Sequence, residues 1–155
     1  MAQEIERKFL VRNDKWMSDV LSSSVIRQGY LASQENVTVR VRIAGEAAFI
    51  TVKGATRGIA RAEFEYPIPT TDAWEMLSQV AEQPFIDKTR YRVRCAGHVW
   101  DLDVFAGANQ GLIVAEVELV SESEAFQLPE WAGDEVSDDP RYFNANLVTH
   151  PYRDW

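Results

Sequence analysis

The chain has 155 residues, with 24 acidic against 16 basic side chains and a formal net charge of −8 at pH 7. This length is typical of one domain, and we predict a single domain over residues 1–155. The acidic balance argues against a nucleic-acid partner, which usually meets a basic face. The one cysteine, Cys95, excludes an intrachain disulfide framework and a cysteine-based zinc site.

Membrane insertion and secretion are not expected from the sequence. No apolar run approaches the ~20 residues that a membrane-spanning helix needs. The segment 1–6 lacks the basic and apolar pattern of a signal peptide. We therefore expect no membrane partner and a cytoplasmic protein.

Short segments with alternating apolar and polar residues dominate the chain and predict β-strands. Turn sequences at residues 44–47 and around Gly97-His98 predict two hairpins. The predicted strands, in chain order, are 4–11, 28–31, 37–43, 48–53, 61–68, 85–96, 99–105 and 112–120. Because most of them are hairpin partners, the sheet is expected to be largely antiparallel.

Four helices are predicted between and after these strands, at residues 14–21, 72–81, 122–126 and 139–148. Asn13 is a candidate cap for the first, and Pro140 suits the first turn of the last. The predicted class is α+β with strands dominant.

Charged residues occupy alternate positions along seven of the strands, so each strand has one apolar and one charged face. In the first strand, Glu4, Glu6 and Lys8 share a face and Ile5 and Phe9 take the other. The charged faces of the later strands carry Arg40 and Arg42; Lys53; Arg61, Glu63 and Glu65; Lys88, Arg90, Arg92 and Arg94; Asp101 and Asp103; and Glu116 and Glu118.

Two interpretations of these faces are open. One is an antiparallel sheet with a solvated side, which is common. The other is a closed barrel with the charged face inside and the apolar face covered by helices. The second is favoured because charge is sorted by strand, whereas a solvated face usually mixes signs. A buried charged interior is costly unless it is paired or liganded. A wet tunnel would bind a polyanion through its cations and hard divalent cations through its carboxylates, which most simply means phosphates with Mg²⁺ or Mn²⁺.

The ordered set of charged motifs resembles the CYTH superfamily, also called triphosphate tunnel metalloenzymes. The opening Glu4-x-Glu6-x-Lys8 is the signature of that family. The later motifs follow in order over essentially the whole chain: Arg40-x-Arg42, Lys53-Gly54, Arg61-x-Glu63-x-Glu65, Lys88-Thr89-Arg90-Tyr91, Asp101-x-Asp103 and Glu116-x-Glu118. The resemblance implies an antiparallel eight-stranded β-barrel tunnel flanked by helices.

The resemblance also implies roles for individual residues. Glu4, Glu6, Lys8 and Lys88 are the implied catalytic residues. The implied metal ligands, for Mg²⁺ or Mn²⁺, are Glu4, Glu6, Glu63, Asp103, Glu116 and Glu118. The implied substrate-binding residues are Lys8, Arg40, Arg42, Lys53, Arg61, Lys88 and Arg90. Residues 139–144 resemble the start of a C-terminal helix that plugs the tunnel, where Arg141 and Asn144 either reach the site or pack.

The activity implied by the resemblance is metal-dependent hydrolysis of inorganic triphosphate, a small-molecule substrate. A thiamine triphosphatase, a nucleoside triphosphatase, a class IV adenylyl cyclase and a non-catalytic polyphosphate- or nucleotide-binding module remain alternatives, since the same clamp recognises phosphates in all of them. A homodimer is compatible with the family, although no feature of the sequence demands one.

Overall fold

Nine β-strands and two α-helices build the computed structural model, which describes residues 3–155. The first two residues of the predicted domain lie outside the described residues. The strands are β1 Gln3–Val11, β2 Val20–Gln34, β3 Val37–Ala44, β4 Ala47–Gly54, β5 Ala60–Pro67, β6 Ile86–Cys95, β7 His98–Phe105, β8 Ile113–Glu118 and β9 Ala132–Glu135. The helices are α1 Thr70–Gln79 and α2 Asn144–Thr149.

Eight of these strands close into an antiparallel barrel in the order β5-β4-β3-β2-β6-β7-β8-β1, and β1 returns to β5. The closing seam pairs Gln3 with Ala62, Glu4 with Arg61, and Ile5 with Ala60. β9 is added outside this cycle, on β1. The predicted antiparallel eight-stranded barrel is therefore confirmed.

Both predicted hairpins form at the expected turns. Ala44 pairs with Ala47 between β3 and β4, and Cys95 pairs with His98 between β6 and β7. Gly45 and Gly97 both have positive φ, which a side chain would disfavour, and so both turns depend on glycine.

The apolar faces of the strands point outward and are covered in part by helices. Leu77 of α1 is fully buried against the β3 face with Val41 and Ile43, and Leu147 of α2 packs in a second cluster with Ile86. The cover is incomplete: on β5, the residues Phe64 and Tyr66 remain 44% and 58% exposed. Among residues 3–155, no helix has the length and apolarity needed to cross a membrane.

The predicted helix over residues 14–21 was wrong. A short 3₁₀ turn at Lys15–Asp19 is followed by β2, which starts at Val20 and absorbs the short strand predicted at 28–31. Ladder pairing with β6 from Val20 onward holds this segment extended. β-branched Val20, Val25 and Ile26 favour the strand that follows this turn.

Two further helix predictions need correction. Residues 122–126 form no helix; instead Glu124 accepts a hydrogen bond from the Val120 amide and contacts His98, while Phe126 packs edge-on against Trp100. The helix predicted at 139–148 is divided into a 3₁₀ turn at Pro140–Tyr142 and α2, because Phe143 between them has an extended backbone.

Candidate active site

A polar cavity of about 630 Å³ occupies the barrel interior. All seven cations predicted to bind substrate line it: Lys8, Arg40, Arg42, Lys53, Arg61, Lys88 and Arg90. Five of the six predicted metal ligands line it too: Glu4, Glu6, Glu63, Glu116 and Glu118. The sixth, Asp103, lies behind the cavity wall with 2% of its surface exposed. The alternation of side chains along closed strands therefore brings nearly the whole predicted set into one space.

Carboxylates from β1 and β8 face one another across the paired strands. Glu6 is the direct cross-strand partner of Glu118, and Glu116 lies opposite Lys8. Burial, together with the charges of Glu116 and Glu4, holds the pKa of Glu6 well above its usual range. Burial and the charge of Glu4 raise the pKa of Glu118 as well. Like charges placed opposite each other are destabilising, so this cluster is suited to a bound cation.

Lys53 of β4 stands between two carboxylates at the β1–β5 seam. Its Nζ lies 3.0 Å from both carboxylate oxygens of Glu4 and 3.3 Å from Glu63 Oε2. Burial alone would raise the pKa of Glu4, but the adjacent ammonium lowers it. Burial and the neighbouring Glu4 instead raise the pKa of Glu63. The three groups form one partly neutralised cluster.

Asp103 of β7 fixes two cations of β6. Its carboxylate accepts hydrogen bonds from Nε and Nη2 of Arg90 at 2.8 and 3.0 Å, and Nζ of Lys88 lies 2.7 Å from its Oδ2. Burial opposes ionisation of Asp103, but these two cations reverse the effect and lower its pKa far below the usual range. To bind a metal, Asp103 would have to release one of these partners.

Lys88 is itself almost fully buried, and this changes its proton affinity. Burial lowers its pKa to about 7 against the opposing attraction of Asp103. Arg42, on β3, has a pKa lowered to about 9 by burial and by the nearby charge of Arg40. Arg42 therefore stays a cation at neutral pH, whereas Lys88 can gain or lose a proton there.

The chain's C-terminal part closes one side of the cavity around Lys8. Lys8 Nζ donates to the Tyr142 carbonyl oxygen at 3.2 Å, lies 3.6 Å from Glu116 Oε1, and sits 5.6 Å from the centre of the Phe143 ring. Burial would raise the pKa of Glu116, but Lys8 and Arg90 lower it to about 2. The lysine is thus held by β8 and by the segment before α2 together.

Arg40 and Arg61, two of the arginines predicted to bind substrate, are oriented by neutral and acidic groups on adjacent strands. Arg40 Nη2 donates to Thr51 Oγ1 at 3.2 Å and lies 3.5 Å from Glu65 Oε2. Arg61 donates through Nη2 to the Gly54 carbonyl at 2.9 Å. These contacts hold one edge of each guanidinium group against the barrel wall.

A second cavity of about 300 Å³ adjoins the first at the other end of the barrel. The two share Arg42, Glu65, Arg90 and Asp101 in their walls. The charged interior therefore continues as a tunnel, as the resemblance predicted.

The donor set fits a hard divalent cation, although the carboxylates are not arranged as a finished site. In residues 3–155, no three His, Cys, Asp or Glu side chains are gathered around a common point. Instead Glu4, Asp103 and Glu116 each form a salt bridge with a lysine. Carboxylate oxygens are the ligands that Mg²⁺, Mn²⁺ and Ca²⁺ prefer. Within the part of the chain that the structure describes, neither Glu6 nor Glu118 forms a salt bridge, so their charges are the least compensated of the set.

Comparison with known proteins places this tunnel in a family. The sequence model of the CYTH domain matches residues 2–152. The chain belongs to the CYTH family. The predicted membership, drawn from the charged motifs, is thereby confirmed.

Two relatives align with this CYTH chain over most of its length. It is 44% identical to a protein named inorganic triphosphatase from Acetivibrio thermocellus, covering 100% of this chain and 99% of that protein. It is 40% identical to an inorganic triphosphatase from Nitrosomonas europaea, covering 94% of this chain and 96% of that protein.

Solved structures share the barrel of this CYTH chain. The crystal structure of the inorganic triphosphatase NE1496 superposes with a TM-score of 0.69 at 38% identity, covering 96% of this chain and 95% of that chain. The Hippeastrum protein HpAC1, at 12% identity, superposes with a TM-score of 0.58 over 76% of this chain and 80% of that chain, and shows the fold alone.

The sequence analysis did not identify Gln28 as part of the site, and it did not decide whether Asn144 reaches the site. Gln28 of β2 is fully buried, and its amide links Arg42 to Asn144. Its signal was present, since Gln28 is a polar residue beside the apolar run Gly29–Leu31. Asn144 reaches the site, whereas Arg141 is exposed and pairs with Asp139.

Proposed function

We propose that this protein hydrolyses inorganic triphosphate to pyrophosphate and orthophosphate inside its tunnel. The observation that carries the proposal is the main cavity, which is lined by seven cations and a cluster of carboxylates. Its closest chemical match is a short polyanion with a divalent metal. The two full-length relatives named inorganic triphosphatases support the choice of substrate.

The cations bind and orient the triphosphate. Guanidinium groups of Arg40, Arg42 and Arg90 offer paired donors to phosphate oxygens, and Lys8 and Lys88 supply point charges. Catalysis of phosphoryl transfer depends mainly on such positioning and on neutralising the developing charge. Asp103 keeps Lys88 and Arg90 aimed along the tunnel through the contacts described above.

A divalent metal is a requirement of this family, and we propose Mg²⁺ or Mn²⁺ as the ion. Glu4, Glu6, Glu116 and Glu118 would hold it, with Glu63 as a further predicted ligand. Asp103, which was also predicted, would bind it only by releasing Lys88 or Arg90. When bound, it would neutralise phosphate charge and favour ionisation of the attacking water. Lys88, whose pKa lies near neutrality, is the protein group best placed to accept or supply a proton in the site.

Phosphate release from tripolyphosphate, ATP and thiamine triphosphate, each with Mg²⁺, Mn²⁺ or EDTA, tests the proposal. We expect fast metal-dependent release from tripolyphosphate and slow release from ATP. Preference for thiamine triphosphate or ATP would replace the proposed substrate by that one. Formation of cyclic AMP and pyrophosphate from ATP would indicate a cyclase, and binding without any turnover would indicate a non-catalytic module.

A further inference from the structure

Four side chains form a continuous hydrogen-bonded chain across the inner wall of the tunnel. Arg42 Nε donates to Gln28 Oε1 at 2.7 Å. Gln28 Nε2 donates to Asn144 Oδ1 at 3.0 Å, and Lys88 Nζ donates to the same oxygen at 2.9 Å. The chain joins strands β3, β2 and β6 to helix α2.

The chemistry of Arg42 fixes the direction of both amides. A guanidinium has no acceptor, so Arg42 can only donate a hydrogen bond. Gln28 must therefore turn its oxygen toward Arg42 and its NH₂ toward Asn144. Asn144 must turn its oxygen toward that NH₂ group, and Lys88 Nζ donates to the same oxygen. The alternative orientation of Asn144 would set its NH₂ group against the NH₂ group of Gln28.

This fixed orientation leaves the Asn144 NH₂ group free for another acceptor. No residue among 3–155 accepts a hydrogen bond from its Nδ2, and this atom is not among the buried polar atoms that lack a partner. Asn144 lines the main cavity together with Arg42 and Lys88, whereas Gln28 lies behind it. A neutral donor is thus presented beside two cations of the clamp.

We infer that Asn144 is a triphosphate-binding residue that donates from Nδ2 to a phosphate oxygen beside Lys88 and Arg42. Gln28 is the positioning residue that locks the amide in this orientation. A neutral donor adds a hydrogen bond at a point where a further cation would repel Lys88 and Arg42. The inference rests on the proposed function, since it concerns the same ligand.

The variant Asn144→Asp tests the contact directly. It has nearly the same shape and keeps an oxygen for Lys88 and Gln28, but it replaces the donor by an anionic oxygen. We expect the Kd for tripolyphosphate, measured calorimetrically in EDTA, to rise by more than about tenfold, because the variant loses a hydrogen bond to a charged group and sets an anionic oxygen against the phosphate. Asn144→Ala should raise it by about tenfold.

Asn13→Asp is the matched control, because it introduces the same charge at a surface turn that lines neither cavity. It should leave the Kd unchanged. Thermal melting of each variant in the absence of ligand confirms that it is folded. A Kd for Asn144→Asp within twofold of the wild-type value would overturn the inference.

A double-mutant cycle tests the role of Gln28. Gln28→Met keeps the length of the side chain and removes both hydrogen bonds. If Gln28 acts partly through Asn144, its replacement will raise the Kd less in the Asn144→Ala background than in the wild-type protein. Equal increases in both backgrounds would remove Gln28 from the proposal.

The two proposals fail in different ways. The proposed function is contradicted if the wild-type protein binds tripolyphosphate but does not hydrolyse it with Mg²⁺ or Mn²⁺. In that case the Kd values of the wild type and Asn144→Asp still test the inference. Wild-type protein that hydrolyses tripolyphosphate with a KM equal to that of Asn144→Asp contradicts the inference alone.

Discussion

Glu6 faces Glu118 across the β1–β8 pair, with Glu4 and Glu116 close by. Because its pKa in the folded protein is raised, the folded state binds more protons than the unfolded chain above the unfolded value of about 4.3. Glu6 therefore lowers stability as the pH rises through that value toward its folded pKa. The cost is present at neutral pH when no cation is bound.

Glu6→Gln should therefore raise the melting temperature of the metal-free protein at pH 7 and abolish metal-dependent hydrolysis. The neutral amide removes the repulsion and also a predicted metal ligand. Calorimetric melting in EDTA and phosphate release with Mg²⁺ measure the two effects. The matched control is Glu75→Gln on the exposed side of α1, which should change neither. A lower melting temperature for Glu6→Gln would contradict the electrostatic argument.

Lys88 gives a second prediction, about protons. Its pKa of about 7 in the free protein should rise when an anionic triphosphate binds beside it. Binding near pH 8 should then be accompanied by uptake of up to about one proton by the protein. Titration calorimetry in two buffers of different ionisation enthalpy measures this uptake.

Lys88→Arg should lose that proton uptake, because a guanidinium stays charged throughout this range. The bound ligand's own protonation is the same for both proteins, so the difference between them reports Lys88. Equal uptake by the wild type and Lys88→Arg would show that Lys88 is already charged before binding.

At the scale of elements, α1 and β2 approach each other closely where Gly29 lies. A Cβ atom added at Gly29 would lie 2.9 Å from Ala81 Cβ and 2.9 Å from Leu77 Cδ2. The glycine thus lets the helix pack directly on the strand that supports Gln28.

Gly29→Ala should destabilise the protein by about 1–3 kcal/mol, as overpacking of a core usually does. Gly54→Ala is the matched control, since its Cβ would make an ordinary 3.5 Å contact with Ala62. Urea unfolding of both variants measures the free energy of unfolding. Equal stabilities would show that α1 shifts away without cost.

Strands could be predicted from the sequence better than helices, for a physical reason. Charges at every second position, as in Arg40 and Arg42, indicate which face of a strand points inward. In the closed barrel, that charged face lines the interior. The segment 122–126 carries no such signal, because its shape comes from contacts of Glu124 and Phe126 with distant residues. Local propensity cannot contain those contacts.

The candidate site was predictable to a similar extent. Alternation identifies which charged side chains share the interior, but it does not state which ones pair. Asp103 contacts both Lys88 and Arg90 because the register of β6 against β7 places them together. The amides of Gln28 and Asn144 are neutral and isolated in sequence, so only the packing of α2 against β2 brings them together.

For the whole molecule, the net charge and the local charge of the tunnel act on a triphosphate in opposite directions. A net charge of −8 repels a triphosphate at long range, whereas the seven cations predicted to bind substrate would attract it at contact distance. Salt screens exposed charges separated by more than the Debye length of about 10 Å at 0.1 M. Contacts inside the tunnel are the stronger interaction and involve full charges.

We expect the KM for tripolyphosphate to rise as potassium chloride is increased, because chloride competes with the triphosphate for the cations of the tunnel and this effect outweighs relief of the long-range repulsion. Steady-state kinetics at constant free Mg²⁺ and increasing salt measures this. Melting curves at each salt concentration control for loss of folded protein. A falling KM would show that the surface charge, not the tunnel, governs binding.

The order of the strands along the chain has a consequence for when activity can arise during synthesis. Glu4 and Glu6 are synthesised more than a hundred residues before Glu116 and Glu118 of β8, and Asn144 of α2 comes later still. A nascent chain that lacks β8 therefore has only some of the predicted metal ligands and an open barrel wall. Function should appear in a single late step, once the last barrel strand has paired with the first.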